Sequence, residues 1–161
     1  MQQNAFKELV THPLKFRMFL LSKLPAAFFS GVRVKYVDDE KCEVTVPYKW
    51  FTRNPFGSTY FASLSMAAEM STGILAMSNV YGQKPPISML VLKVNGDYKK
   101  KATGITTFTC EQGSLIKRLV QEAVSTKEAR TISLNSIGKN EAGEVVAEFL
   151  IEWSFKVKKQ Y

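Results

Sequence analysis

The sequence predicts an α+β fold in which an antiparallel sheet wraps around one long central helix, with an amphipathic helix ahead of it. Three observations carry this expectation. Strand-like segments outnumber helical ones, short turns separate successive strands, and the one long helical segment has almost no polar face. That segment lies within the thirty residues from Asn54 to Gln83, NPFGSTYFASLSMAAEMSTGILAMSNVYGQ, whose only formally charged side chain is Glu69. A helix uncharged around its circumference is buried on most of it, so the sheet is expected to supply the cover.

The elements follow in chain order. Residues 4–23 carry Phe6, Leu9, Val10, Leu14, Met18 and Leu21 as an apolar stripe interrupted near Pro13, which predicts an amphipathic helix in two pieces. VRVKYV and CEVTVPY alternate apolar with polar residues on either side of Asp38, Asp39 and Glu40, and predict a hairpin. Asn54, Pro55 and Gly57 form a turn into the central helix, with Ser58 and Thr59 as its expected N-cap. The helix ends near Tyr81 and Gly82, ahead of Pro85 and Pro86. ISMLVLKVNGDYKKKA predicts a long strand with an irregularity at Asn95 and Gly96, and TGITTFTCEQ is expected as its neighbour across a turn at Thr103 and Gly104. GSLIKRLVQEAVS predicts a short amphipathic helix, and RTISLNSIGKN with GEVVAEFLIEWSFKVKK a closing hairpin. One domain is expected over residues 1–161, with a helical extension at 1–30 and the core at 31–157.

Composition narrows the function classes. At 161 residues and 45% hydrophobic, the chain has enough apolar material for a full core, and eleven Phe, six Tyr and two Trp exclude a disordered chain. Cys42 and Cys110 each sit inside a predicted strand, at no metal-ligand or redox-motif spacing, and read as buried reduced thiols of a cytoplasmic protein. Lys7, Glu8 and Lys15 argue against a secretory signal. The Ser, Thr and Asn content of the long helix, with Glu69 at its centre, makes it a poor hydrocarbon span, so no membrane partner is expected. A net charge of +8 attracts anions, but the basic residues are scattered and no stacking-aromatic motif accompanies them, which disfavours nucleic acid. No metal or resident cofactor is expected. The lone His12 lies in the N-terminal helix and reads as a surface or packing residue.

Glu69 is the focal residue. An isolated acid in an apolar helix is paired, protonated or used, and burial raises its pKa toward that of a general base or nucleophile. The small residues around it, from Ala62 and Ser63 to Gly73 and Ala76, let other groups approach the helix closely.

The order of elements resembles the hotdog fold, and a local motif sharpens the resemblance. Thioesterases of the PaaI-like branch carry Asn, Gly three residues later, His three after that, two small residues, and an acid seven beyond the second of these. Asn54, Gly57, Ala62 and Glu69 fill four of these places in kind, while Tyr60 stands in the His place and Phe61 in the first small-residue place. The chain resembles most an uncharacterised subgroup, a domain of unknown function, that shares Gly-Ser ahead of the helix and Glu within it. The resemblance covers residues 31–157.

The resemblance implies an acyl-coenzyme A thioesterase acting at a subunit interface, as a homodimer or a dimer of dimers. Glu69 is then the general base or nucleophile and Asn54 orients the water or the carbonyl. Gly57, Tyr60, Phe61 and Ala62 position the substrate, with the Phe61 and Ala62 N–H groups at the helix start forming an oxyanion site. Lys99, Lys100 and Lys101 meet the phosphates of the coenzyme A moiety, or are a solvated edge. Met66, Met70, Met77 and Met89, with Phe51, Phe56 and Phe61, are candidates for an acyl tunnel. The alternative is a hotdog module that binds an acyl chain or acyl thioester without turning it over.

Overall fold

Three helices precede the first strand: α1 (Gln2–Thr11), α2 (Pro13–Lys23) and α3 (Pro25–Ser30). The hairpin β1 (Arg33–Val37) and β2 (Cys42–Val46) leads to the central helix α4 (Phe61–Val80) and the long strand β3 (Ile87–Tyr98). Then come β4 (Thr106–Cys110), α5 (Gly113–Thr126), β5 (Arg130–Lys139) and β6 (Val145–Val157). The computed structural model describes residues 2–158, so residues 1 and 159–161 of the expected 1–161 unit lie outside the described residues. No helix among those described is long and apolar enough to cross a membrane.

All six strands form one antiparallel sheet in the order β1-β2-β4-β5-β6-β3. It wraps α4, the hotdog arrangement that the motif implies. Ala67, Ala68, Leu75 and Ala76 of α4 are fully buried, as are Val44, Phe108, Leu134, Ile151 and Phe155 of the sheet. The alanines let the helix lie close to the strands, and two buried hydrogen bonds fix it there. Ser71 Oγ meets Ser136 Oγ of β5 at 2.8 Å, and Trp153 Nε1 of β6 donates to Thr72 Oγ1 at 3.0 Å.

Several expectations need correction. β3 and β4 are not neighbours: β3 is an edge strand beside β6, and β4 sits between β2 and β5. The link between them is no hairpin turn. The Lys99 and Lys100 amides donate to the Val146 carbonyl, the Thr59 amide to Ala102 and the Tyr48 amide to Gly104, so residues 99–105 cross the end of the sheet. The irregularity in β3 falls between Val91 and Lys93, not at Asn95 and Gly96. One extra residue there reverses the alternation of the strand. Ahead of it Met89 and Val91 pair with the buried Phe155 and Trp153, and beyond it Val94, Gly96 and Tyr98 pair with the buried Ile151, Phe149 and Ala147.

Pro13 breaks the N-terminal helix in two as expected, but the predicted apolar stripe does not continue beyond it. α2 starts anew with Pro13 in its first turn and His12 as N-cap, whose Nδ1 accepts from the Lys15 amide at 3.4 Å. It buries Phe16 and Leu20, one turn apart, and leaves Leu14, Met18 and Leu21 exposed. The short α3 was not foreseen; Pro25 opens it and Gly31, with φ 76°, closes it.

Candidate active site

The turn into α4 is held by one side chain. Asn54 Oδ1 accepts from the Phe56 amide at 2.9 Å and the Ser58 amide at 3.2 Å, while its Nδ2 donates to Ser58 Oγ at 3.0 Å and to the Thr59 carbonyl at 3.5 Å. Gly57 takes φ 73°, a left-handed conformation that suits a residue without Cβ. These bonds overturn the expected N-cap. The Thr59 hydroxyl donates to the Ala102 carbonyl at 3.1 Å, Ser58 is engaged by Asn54, and the cap position falls to Tyr60, which offers no side-chain bond. The first N–H groups of the helix, those of Phe61 and Ala62, therefore have no acceptor among the described residues.

The crossing segment runs beside this helix start. Between them lies a cavity of about 530 Å³ lined by Asn54, Tyr60, Phe61, Tyr98 and Lys99 to Lys101. Tyr60 and Phe61 pack edge to face with ring centroids 4.7 Å apart. Lys99 Nζ lies 3.5 Å from Glu148 and Lys100 Nζ 2.5 Å from Glu144. Lys101 donates to the Phe56 carbonyl at 3.0 Å and has no carboxylate partner among the described residues. The sequence candidates near the helix start thus converge, with Gly57 and Ala62 flanking the cavity.

Glu69 lies elsewhere. Eight residues beyond Phe61, it is about 12 Å along the helix axis from it, on the face of α4 covered by the N-terminal helices. There it borders two adjoining cavities. One, of about 300 Å³, is lined by Phe6, Phe16 and Phe19 from α1 and α2, by Met77 of α4, and by Met89 and Trp153 of the sheet. The other, of about 220 Å³, shares Leu24, Glu69 and Met70 and opens past Lys23, Pro25 and Met66. Gly73 makes the carboxylate's position possible, because a Cβ there would come within 3.1 Å of Glu69 Oε1 and 3.3 Å of the Trp153 ring. No ion pair or side-chain hydrogen bond reaches the Glu69 carboxylate among the described residues. Its partial desolvation pushes its pKa above the ordinary carboxylate range.

The expected acyl tunnel divides accordingly. Met66, Met70, Met77 and Met89 border the Glu69 cavities, Phe56 and Phe61 border the lysine cavity, and Phe51 packs on Phe29 with centroids 6.0 Å apart. Sequence reasoning missed Phe6, Phe16, Phe19 and Trp153, which read as ordinary core residues; the aromatic density of the first helices was the available signal. A larger concavity of about 650 Å³ on the strands' other face, lined by threonines and the Lys35–Glu43–Lys41 ion pairs, holds no candidate residue. His12, an N-cap, is remote from these groups in role.

Cys42 and Cys110 are cross-strand partners at one end of β2 and β4, both buried and free. Burial pushes both thiols up, Cys110 to about 11. They belong to the core.

Residues 15–155 match the model of a family described as a domain of unknown function, DUF4442. The chain belongs to the DUF4442 family. Its fold has wide company among solved structures. A Pseudomonas aeruginosa protein of unknown function, described as a probable thioesterase, shares 21% identity with a TM-score of 0.76, over 93% of this chain and 99% of its own. A Chlorobaculum tepidum protein of unknown function shares 16% at a TM-score of 0.77, over 98% and 97%. A Haemophilus influenzae thioesterase shares 12% at 0.66, over 92% and 93%. Among curated proteins, none matches the chain in sequence. Likeness at this identity carries the fold; for this DUF4442 member the chemistry rests on its own residues.

Proposed function

We propose that the protein is an acyl-thioester hydrolase, acting on acyl-coenzyme A or a similar thioester at a site shared between two copies of the chain. The observation that carries this reading is Glu69, a half-buried carboxylate with no ionic partner among the described residues, set against apolar cavities. Desolvating such a group costs free energy that packing does not return. The thioesterase descriptions of the Pseudomonas and Haemophilus structures add support at the level of the fold.

In this reading Glu69 takes a proton from water, whose oxygen attacks the thioester carbonyl. The negative charge collects on the carbonyl oxygen at the free N–H groups of Phe61 and Ala62, where the helix dipole also favours it. The C–S bond breaks, and the thiolate leaves with the proton held by Glu69, giving a carboxylic acid and a thiol. Direct attack by Glu69 is the variant of the same chemistry. Asn54 acts by holding the turn that aims the helix start, Tyr60 forms a wall of the site, and the three lysines face the phosphates, with Lys101 the least committed.

One chain holds the two halves about 12 Å apart, and the edge strand offers a way to join them. On β3, Val94 and Tyr98 share the inner face yet are 46% and 48% exposed, and Leu92 at the irregularity is 49% exposed. Antiparallel pairing of β3 with its copy about Lys93 and Val94 sets Met89 of one strand beside Tyr98 of the other. The Glu69 cavity of one subunit then meets the helix start and lysines of its partner. A homodimer, or a dimer of dimers, is the proposed working form, and two buried free cysteines suit a cytoplasmic setting.

A binding module without turnover is the second reading, favoured by the Tyr60–Phe61 pair standing over the site where the related motif has His and a small residue. Thiol release from short, long and aromatic acyl-coenzyme A esters separates the two. Turnover that is lost in Glu69→Gln supports hydrolysis; saturable ester binding without thiol release supports the module; turnover undiminished in Glu69→Gln refutes the role of Glu69.

A further inference from the structure

We infer that α1 and α2 wall the acyl-chain pocket of this site, taking a medium-length alkyl chain between their phenylalanines and α4. This rests on the thioesterase reading above. The two cavities at Glu69 adjoin on the α4 face and share Leu24, Glu69 and Met70; the longer limb, of about 300 Å³, reaches Met77, and the shorter, of about 220 Å³, reaches Met66. The longer limb is walled by aromatic rings, thioethers and aliphatic carbons. It offers nothing to the amides of a pantetheine arm or to a phosphate, both of which need hydrogen-bond partners when buried, and Glu69 repels an anion. An alkyl chain needs none. An apolar groove of about 300 Å³ lined in this way is suited to taking an apolar chain.

The size sets the chain. A methylene group occupies about the volume of a water molecule, about 30 Å³ in the liquid, so the limb accommodates roughly ten carbons. The adaptable Met70, Met77 and Met89 side chains allow a spread around that length. The limit on length is set by two groups: Phe19 of α2, half-buried in the wall, and Met77, 37% exposed at the far end.

The test is the ratio of kcat/KM for dodecanoyl- to hexanoyl-coenzyme A in the full-length protein and two variants. Each methylene buried is worth about fourfold, so a two-carbon change in pocket length moves the ratio by about fifteenfold. Met77→Trp fills the end of the limb and is expected to lower the ratio at least tenfold; Phe19→Ala enlarges it and is expected to raise the ratio at least tenfold. Opposite signs exclude a general loss of fold as the cause, and if one variant fails to fold the sign in the other decides. A ratio within twofold of the native value in a folded variant overturns the pocket while leaving hydrolysis intact. Should the native protein release no thiol from any ester, the hydrolase reading falls and a dansyl-labelled undecanoate tests the pocket alone. Saturable binding weakened tenfold by Met77→Trp sustains it, and no saturable binding overturns it.

Discussion

Replacing Thr72 by Val tests how the sheet holds the segment of α4 that carries Glu69. The Thr72 hydroxyl is a relay: it donates to the Glu69 carbonyl at 2.9 Å and accepts the indole N–H of Trp153 at 3.0 Å, in a buried setting. Valine keeps the shape and removes the acceptor, leaving a buried N–H unpaired at a cost of about 2 kcal/mol. For a chain of this length that lowers Tm by about 4–8 °C. Trp153→Phe removes the donor instead and loses ring area, while the Thr72 hydroxyl keeps its bond to the Glu69 carbonyl. In the Trp153→Phe background, Thr72→Val is expected to cost under about 0.5 kcal/mol, since no N–H is orphaned there, which predicts a coupling of about 1.5 kcal/mol. Urea denaturation of the four proteins gives this cycle. A neutral Thr72→Val, or a coupling near zero, would refute the relay and show that the indole finds another acceptor.

Three further outcomes are expected. Below the usual carboxylate pKa, Glu69 is protonated folded or unfolded; as pH rises the unfolded chain ionises first, so folded stability falls across the window up to the raised native value. Glu69→Gln should abolish that fall, and identical urea midpoint profiles between pH 4 and pH 8 would contradict it. Lys101→Ala should raise KM for coenzyme A esters more than Lys99→Ala or Lys100→Ala, whose ammonium groups already have carboxylate partners, and equal effects in a kinetic comparison would remove the distinction. Gly113→Ala should cost about 3 kcal/mol or more, because its Cβ would fall 1.9 Å from the Asp39 carbonyl oxygen at the contact of α5 with the first hairpin; calorimetry reads this directly.

The central helix and both hairpins were legible because their signals are local. A run of twenty residues with a single charge, or alternation on either side of a turn, needs no partner to be seen. β3 against β4 was misread for the opposite reason: Thr103 and Gly104 look like a turn, whereas the backbone bonds of residues 99–105 go to Val146, Thr59 and Tyr48, far away in sequence. The lysines come beside the helix start through Ala102, whose carbonyl accepts from the Thr59 hydroxyl, a meeting that no local pattern announces. Phe16 and Phe19 gave no hint of a cavity, since a residue lining a pocket and one filling a core have the same hydropathy and differ only in what stands opposite.

The extra residue between Val91 and Lys93 divides β3 into two reading frames. Met89, beside the Glu69 cavity, and Tyr98, beside the lysines, are nine positions apart, an odd number that an unbroken strand would send to opposite faces. Both look inward only because the count slips once between them. Leu92 is therefore the spare residue of the strand: its deletion would leave Val91 and Lys93 on the successive partners they already have, and both frames would keep their inner faces. An insertion within either frame has no such shelter. Placed beyond Lys93, it would turn over the residues that follow it and send Tyr98 to the other face. Along this strand a one-residue change of length leaves both frames facing inward only at the irregularity.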